Sequence, residues 1–387
     1  MAAITVLVVW SAFFCDYLLM TMVIPIFPLL GASDFLTGVL FSSKAACQIL
    51  FSPVTATFVE KDERILVAVG LFLEAFSCLI LSCTFSYTSW MGARALSGMA
   101  SAAIISGGLA HIKRTHDDAN ACATAMGLAT TGIICGVCLG PALGGALFEV
   151  DPKLPFAFLL TLEIFVGLLV LTCTSKTSYN AGAAEEETRL AKIIVHPQVW
   201  RPLGALAVAN AAISCLESTF TRFCLNAFGW SVTQVGLSYL ITSVPCCVLS
   251  AAAGPLGNYL GDRTKLLTAG LLIQGAFQAL GPKDSLFVEI VSLFGLGCGM
   301  GLVDGVTNPI LGEVAAEHFA GTGKIFVLSN VAVQSGFVIG PIAGNAIVEI
   351  GGFSTASLCT GGLLLLYAPL LCRRMESGEK HKALLST

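Results

Sequence analysis

Twelve apolar runs fill almost all of the 387-residue chain, at about 4–30, 35–59, 65–85, 88–112, 120–149, 154–174, 198–221, 233–258, 265–281, 285–312, 323–350 and 353–372. A bilayer core takes roughly 20 residues of helix, so each run is about one crossing long. Hydrocarbon offers no water to a bare backbone, and runs of this length satisfy theirs as helices. Charged residues are 11% of the chain and hydrophobic ones 56%, where soluble domains carry roughly 25% charged. That polar surface is too small to cover a soluble globule, which excludes a soluble enzyme, a nucleic-acid binder and a disordered protein. The predicted class is an all-α membrane protein of 12 transmembrane helices with the lipid bilayer as its solvent.

The basic residues are one-sided. Of 20 Lys and Arg, 15 fall in even-numbered connections and the C-terminal tail, among them Lys61, Lys113, Arg201, Arg263 and Arg373. At most 3 lie opposite (Lys153, Lys283 and Arg222), and Lys44 and Arg94 fall inside spans. This bias predicts both termini in the cytoplasm and an even number of spans. The first run starts at Ile4 without a basic leader, so no cleavable signal is expected. The 15 cysteines are scattered through apolar text, and Cys135 and Cys138 read as small packing residues. The five histidines (His111, His116, His196, His318 and His381) fall in polar connections without metal-like spacing. No cofactor, metal or catalytic residue is expected.

A phrase repeats. Residues 136–150 read GVCLGPALGGALFEV and residues 336–350 read GFVIGPIAGNAIVEI, with six identities in 15, including Gly136/Gly336, Gly140/Gly340 and Pro141/Pro341. They fall in spans 5 and 11, equivalent places in two six-helix repeats. The division this predicts is 1–174, a linker 175–197, 198–374 and a tail 375–387. Repeated halves are a common plan of secondary transporters, with the substrate site near the midplane. Glycines one turn apart admit close helix approach and proline bends the helix.

Ionisable groups in hydrocarbon are costly, so each is a candidate for function. They are Asp16 in span 1, Lys44 in span 2, Arg94 in span 4, Glu217 in span 7 and Asp304 in span 10. The excess of carboxylates suits a cation, and a carboxylate there can also carry a proton. Glu74 and Glu163, in spans 3 and 6, read as structural pairing or snorkelling, and Glu289 as solvated at a helix end. The run GLGCGMG from Gly295 to Gly301 lacks the strand and polar turn of a nucleotide loop and reads as a closely packed helix.

Gly127-x8-Gly136-x3-Gly140-Pro141-x2-Gly144 resembles the span-5 antiporter signature of the drug:proton antiporters of the major facilitator superfamily. GPLGNYLGDRTK resembles that superfamily's loop motif, with Asp262 and Arg263 as its charged pair, and TFVEKDERI resembles a degraded copy. The phrases DYLLMTMVIPIFP, GVLFSSKAACQILFSP, GARALSGMASA, ANAAISCLE and FGLGCGMGLVDGVTNPILGEV resemble the vesicular amine transporters, which load monoamines or acetylcholine into acidic vesicles in exchange for protons.

The resemblance implies a role for each matched position. Asp16 meets the substrate amine, with Asn210, Glu217 and Tyr17 also on the substrate. Asp304 and Lys44 serve proton coupling. Arg94, Gly136, Gly140, Pro141, Gly340, Pro341 and Asn330 serve structure and gating. This chain departs from the family at Asn330, where the family has an aspartate resembling a partner for the span-2 lysine, which leaves Asp304 or Asp16 to pair with Lys44. Tyr17 replaces an asparagine and Phe337 a tyrosine. Spans 1 and 2 are joined only by Gly31 to Asp34, and no glycosylation sequon is present. The tail EKHKALLST resembles a di-leucine sorting signal with Glu379 one place out of register.

The expectation is a proton-coupled antiporter of a small organic cation (a monoamine, acetylcholine or a polyamine), a functional monomer loading an acidic vesicle by alternating access. The alternatives are a broad drug or metabolite exporter at the plasma membrane and a non-transporting receptor on a transporter fold.

Overall fold

The computed structural model describes residues 2–59, 62–116, 118–174, 196–280, 285–318 and 323–372. The linker 175–195 and the tail from 373, with its di-leucine phrase, lie outside the described residues. The helices are α1 (Ala2–Met22), α2 (Asp34–Val59), α3 (Glu63–Cys83), α4 (Tyr87–Thr115), α5 (Ala119–Val150) and α6 (Leu154–Cys173), then α7 (Pro197–Ala227), α8 (Val232–Leu260), α9 (Arg263–Leu280), α10 (Leu286–His318) and α11 (Gly323–Cys372). A 3₁₀ turn, Phe27–Leu30, closes the first span. α11 covers the last two predicted spans, broken where Gly352 takes φ 78°, a conformation that favours glycine. Among the described residues, ten helices are long and apolar enough to cross a membrane, with Ile325–Leu371 counted once. Large apolar side chains such as Leu50, Phe165 and Leu366 are exposed on the outside, as lipid-facing surfaces require.

Two compact units can be described. The first is Met1–Gly182 with Glu217–Leu240 and Pro341–Glu349, and the second is Ala183–Leu216 with Ile241–Gly340 and Ile350–Thr387. In the first, α5 lies on α1 along a glycine stripe. A Cβ at Gly136 would lie 2.8 Å from the Phe14 carbonyl oxygen, and one at Gly140 would fall on Thr21 Oγ1. In the second, α11 lies on α7 in the same way, where Cβ atoms at Gly336 and Gly340 would strike the carbonyl oxygens of Ala207 and Ala211. Even the hydroxyl bridges repeat: Thr21 Oγ1 donates to the Gly136 carbonyl and Ser214 Oγ to the Gly336 carbonyl, each at 3.1 Å. The duplicated phrase is thus a duplicated helix contact, and small residues replace the hydrophobic drive that lipid removes.

The ends of α7, α8 and α11 inside the first unit continue the pattern. Cβ atoms at Gly38 and Gly236 would strike the carbonyl oxygens of Pro341 and Pro141, oxygens on the repeat prolines themselves. Arg222 Nη1 pairs with Asp34 Oδ1, and Nη2 donates to the carbonyls of Pro28 and Ala32 at 3.1 and 2.9 Å. Glu149 accepts from the Thr233 N–H at 3.0 Å and from its Oγ1 at 2.7 Å, which caps the start of α8.

Overfilling the α1–α5 contact is expected to destabilise the protein by about 1–3 kcal/mol. Gly140→Val should lower the thermal unfolding midpoint in detergent. Gly127→Ala, where a Cβ meets nothing within 4 Å, should leave it unchanged or raise it slightly. Equal midpoints for the two variants would contradict the packing account.

Candidate functional site

In the first unit, α1, α2, α3, α4 and α6 bring a buried group of charges together. Close approach starts it: a Cβ at Gly98 of α4 would strike the Lys44 carbonyl oxygen of α2. Ser97 and Ser101, one turn apart on α4, then supply hydroxyls. Lys44 Nζ donates to Asp16 Oδ1 at 2.6 Å and to the Asp16 carbonyl at 3.2 Å. Ser101 Oγ donates to Asp16 Oδ2 at 2.7 Å. Glu74 Oε1 lies 3.8 Å from Lys44 Nζ and accepts from Ser97 Oγ at 3.2 Å. The Asp16 and Glu74 carboxyls thus converge on the same ammonium group. Asp16 and Glu74 are 0% exposed and Lys44 is 2% exposed. Of the two anions left open for Lys44 by Asn330, the structure pairs it with Asp16.

The two glutamates of spans 3 and 6 do not snorkel. Both are 0% exposed. Glu163 Oε1 accepts a long contact from Cys78 Sγ at 3.6 Å, and Cys78 stands one turn beyond Glu74 on α3. Glu289, expected to be solvated, is buried too, because α10 begins at Leu286 and already packs inward at its first turn. His111, expected in a polar connection, is buried in α4 with Nδ1 at 3.2 Å from Glu63 Oε1. Arg114 pairs with the other oxygen of Glu63, so the degraded loop phrase keeps an ionic contact.

Arg94 is buried beside this group. Its guanidinium lies over the Phe27 ring at 5.4 Å, and Nη2 makes a long contact of 3.4 Å with the Phe41 carbonyl. Glu74, Asp16 and Glu217 are within its electrostatic reach. Glu217, on α7, is half-buried, and its carbonyl accepts from Tyr239 Oη at 3.3 Å. Tyr17 is half-buried on α1, and its carbonyl accepts from Thr21 Oγ1 at 2.9 Å.

In the second unit, Asp304 is half-buried on α10, with Asn210 of α7 among the side chains that act on it. Asn210 Nδ2 also donates to the Leu206 carbonyl at 2.9 Å. Glycines hold α10 in place. Cβ atoms at Gly297 and Gly301 would strike the Thr242 and Cys246 carbonyls of α8, and one at Gly299 would strike the Gln274 nitrogen of α9. The GLGCGMG run is therefore helix-packing surface. Asn330 is half-buried on α11, next to Ser329, whose Oγ donates to Asn308 Oδ1 at 2.7 Å. Asp262 and Arg263 separate their tasks. Asp262 accepts from the Thr264 and Lys265 N–H groups at 2.9 and 3.2 Å, while Arg263 pairs with Glu313 of α10. Asp62 caps α3 likewise, accepting from the Ile65 N–H at 3.2 Å.

The Major Facilitator Superfamily model matches residues 9–225 and, a second time, 203–385. The chain belongs to the Major Facilitator Superfamily. Its relatives in that superfamily include the human chromaffin granule amine transporter, 29% identical over 355 residues that cover 90% of this chain and 67% of that protein. The human vesicular acetylcholine transporter is 29% identical, covering 88% of this chain and 65% of its own length. The chain thus spans about two thirds of the length of these relatives. Among solved structures, a bacterial homologue of the human lysosomal transporter Spinster, captured inward-facing and occupied, aligns with TM-score 0.79 at 14% identity, over 96% of this chain and 95% of that one. The superfamily and these relatives are transporters, not enzymes.

The sequence reading gave Ser97 and Ser101 no role and Glu74 only a structural one. The signal was present in the spacing of Ser97 and Ser101 around Gly98, a polar face on a small-residue helix.

Removing one partner of a buried ion pair typically costs about 3–5 kcal/mol. Lys44→Ala is expected to be strongly destabilising in thermal unfolding, and Lys44→Ala with Asp16→Asn less so than Lys44→Ala alone. Additive losses in that double-mutant cycle would contradict the pairing.

Proposed function

We propose that the chain is a proton-coupled antiporter of organic cations, working by alternating access and loading an acidic vesicle. The observation that carries this reading is the buried Asp16–Lys44–Glu74 group, which places more carboxylate than ammonium out of water. Such a group favours an incoming cation, or protons in its absence. The relatives are named for amine and acetylcholine transport, which supports a monoamine, acetylcholine or polyamine as the cation.

In this reading Asp16 receives the ammonium group of the substrate, with Tyr17 and Glu217 contributing to recognition. Lys44 is the resting counter-ion of Asp16 and serves the proton coupling. Asp304, held by Asn210, carries the coupled proton. The six-helix halves, 1–174 and 198–374, move as the repeated contacts at Gly136, Gly140, Pro141, Gly340 and Pro341 slide or bend, with Arg94 and Asn330 at the gating positions. The basic connections face the cytoplasm, and one copy of the chain suffices.

Proteoliposomes with an imposed pH gradient provide the test, using serotonin, acetylcholine and spermidine as substrates. Wild type is expected to accumulate at least one of them, and a proton ionophore to abolish the accumulation. Asp304→Asn should reduce gradient-driven uptake at least tenfold. Asp16→Asn should weaken substrate affinity by a similar factor. Full gradient-driven uptake by Asp304→Asn would sink the coupling role, and unchanged affinity in Asp16→Asn the binding role.

A further inference from the structure

Glu74 enters the reading above only as a member of the buried charge group and Glu163 not at all, yet their surroundings are unusual. Both are 0% exposed, and each has one carboxyl oxygen, Glu74 Oε2 and Glu163 Oε2, buried without a hydrogen-bond donor. An ionised carboxylate in such a place is held by a cation or by several donors. The groups facing them from the packed helices are Cys15 and Asp16 on α1, Lys44 on α2, Cys78 on α3, and Arg94 and Ser97 on α4. Lys44 is closer to Asp16, at 2.6 Å, than to Glu74, at 3.8 Å, and so is already engaged. Glu163 has only the weak Cys78 thiol donor. Arg94 directs a donor at the Phe41 carbonyl and its face at Phe27, and forms no ion pair with either glutamate among the described residues. Asp16 and Glu74 both approach the one ammonium group of Lys44, which leaves one of the two carboxyl groups to be balanced by a proton.

We propose that Glu74 and Glu163 form a second proton site within the first unit. Glu74 shares one proton with Asp16, Glu163 holds another, and a cation arriving at Asp16 displaces the shared proton. This rests on the antiport reading, and it adds a proton-exchange step at the carboxyl pair that the cation itself reaches. The step is a simple exchange. A proton leaves the Asp16–Glu74 pair for water as an ammonium group takes its place beside the same oxygens, so the local charge is unchanged. The mid-span lysine is what makes the pair responsive, because it fixes one charge of Asp16 and leaves the second carboxyl to be balanced by a proton.

Infrared spectroscopy of the reconstituted full chain tests the protonation directly, whether or not transport is seen. Wild type should show the C=O stretch of a protonated carboxylic acid that shifts in D₂O, and Glu74→Gln and Glu163→Gln should each remove part of it. If a Gln variant fails to fold, Glu74→Asp, which shortens the reach to Asp16, should shift the band. Band intensity and frequency unchanged in all folded variants would overturn the proposal. Flux separates coupling from structure. Glu74→Gln should lose at least tenfold in pH-driven accumulation of the wild-type substrate, and Glu74→Asp, which keeps a titratable carboxyl, should restore part of it. Retention of full pH-driven accumulation would overturn the coupling role of Glu74. Loss of band intensity in the Gln variants, together with a wild-type protein that transports no amine, would overturn the antiport reading and leave the proton site standing.

Discussion

Lys44 brings a positive charge into the interior of the first unit, where it is 2% exposed and rests on Asp16 at 2.6 Å. Taking that charge out of water costs several kcal/mol, and only a close, well-bonded anion offsets it (about 3–5 kcal/mol is lost when such a pair is broken). The surrounding structure serves this contact. Gly98 lets α2 approach α4, and Ser101 occupies the second oxygen of Asp16. The α1–α5 glycine stripe fixes the helix that carries Asp16. In the proposed exchange, with one lysine among Asp16, Glu74 and Glu163, protons or a cation from outside complete the balance of charge.

The duplicated contact explains why so much glycine is retained. Gly136 and Gly336 present their carbonyls to Thr21 and Ser214 at the same distance, 3.1 Å. Each half therefore has the same close seam between its first and fifth helices, and in lipid such seams depend on backbone proximity rather than on apolar burial. Pro141 and Pro341 lie on these seams, and their carbonyls meet Gly236 and Gly38. A residue that both interrupts a helix and seats another helix is well placed to couple a change in one seam to the next.

Spans, seams and single charges were legible in the sequence because they are local. The break at Gly352 followed from paired glycines between two apolar runs, and Asp16, Lys44 and Asp304 stood out as charges in apolar text. Partnership was not local. Nothing in the text ranks Asp16 above Asp304 as the anion for Lys44, since the choice depends on how α1 and α2 pack through Gly98 and Ser101 of α4. Of the two readings of Glu74 and Glu163, pairing or snorkelling, burial rules out snorkelling and Glu74 is paired with Lys44, a choice that the sequence of an apolar helix leaves open because it does not reveal which face turns inward. Glu289 was misread for the same reason, since closeness to a helix end does not imply contact with water.

The central claim is that a cation and protons compete for the same buried carboxylates. Titrating the transported amine into purified, weakly buffered protein and reading the pH tests it most directly, because neither a gradient nor a working transport cycle is required. The account predicts release of protons as the amine binds, saturating with occupancy and reduced in Asp16→Asn. Saturable amine binding with no proton release at any starting pH would contradict it.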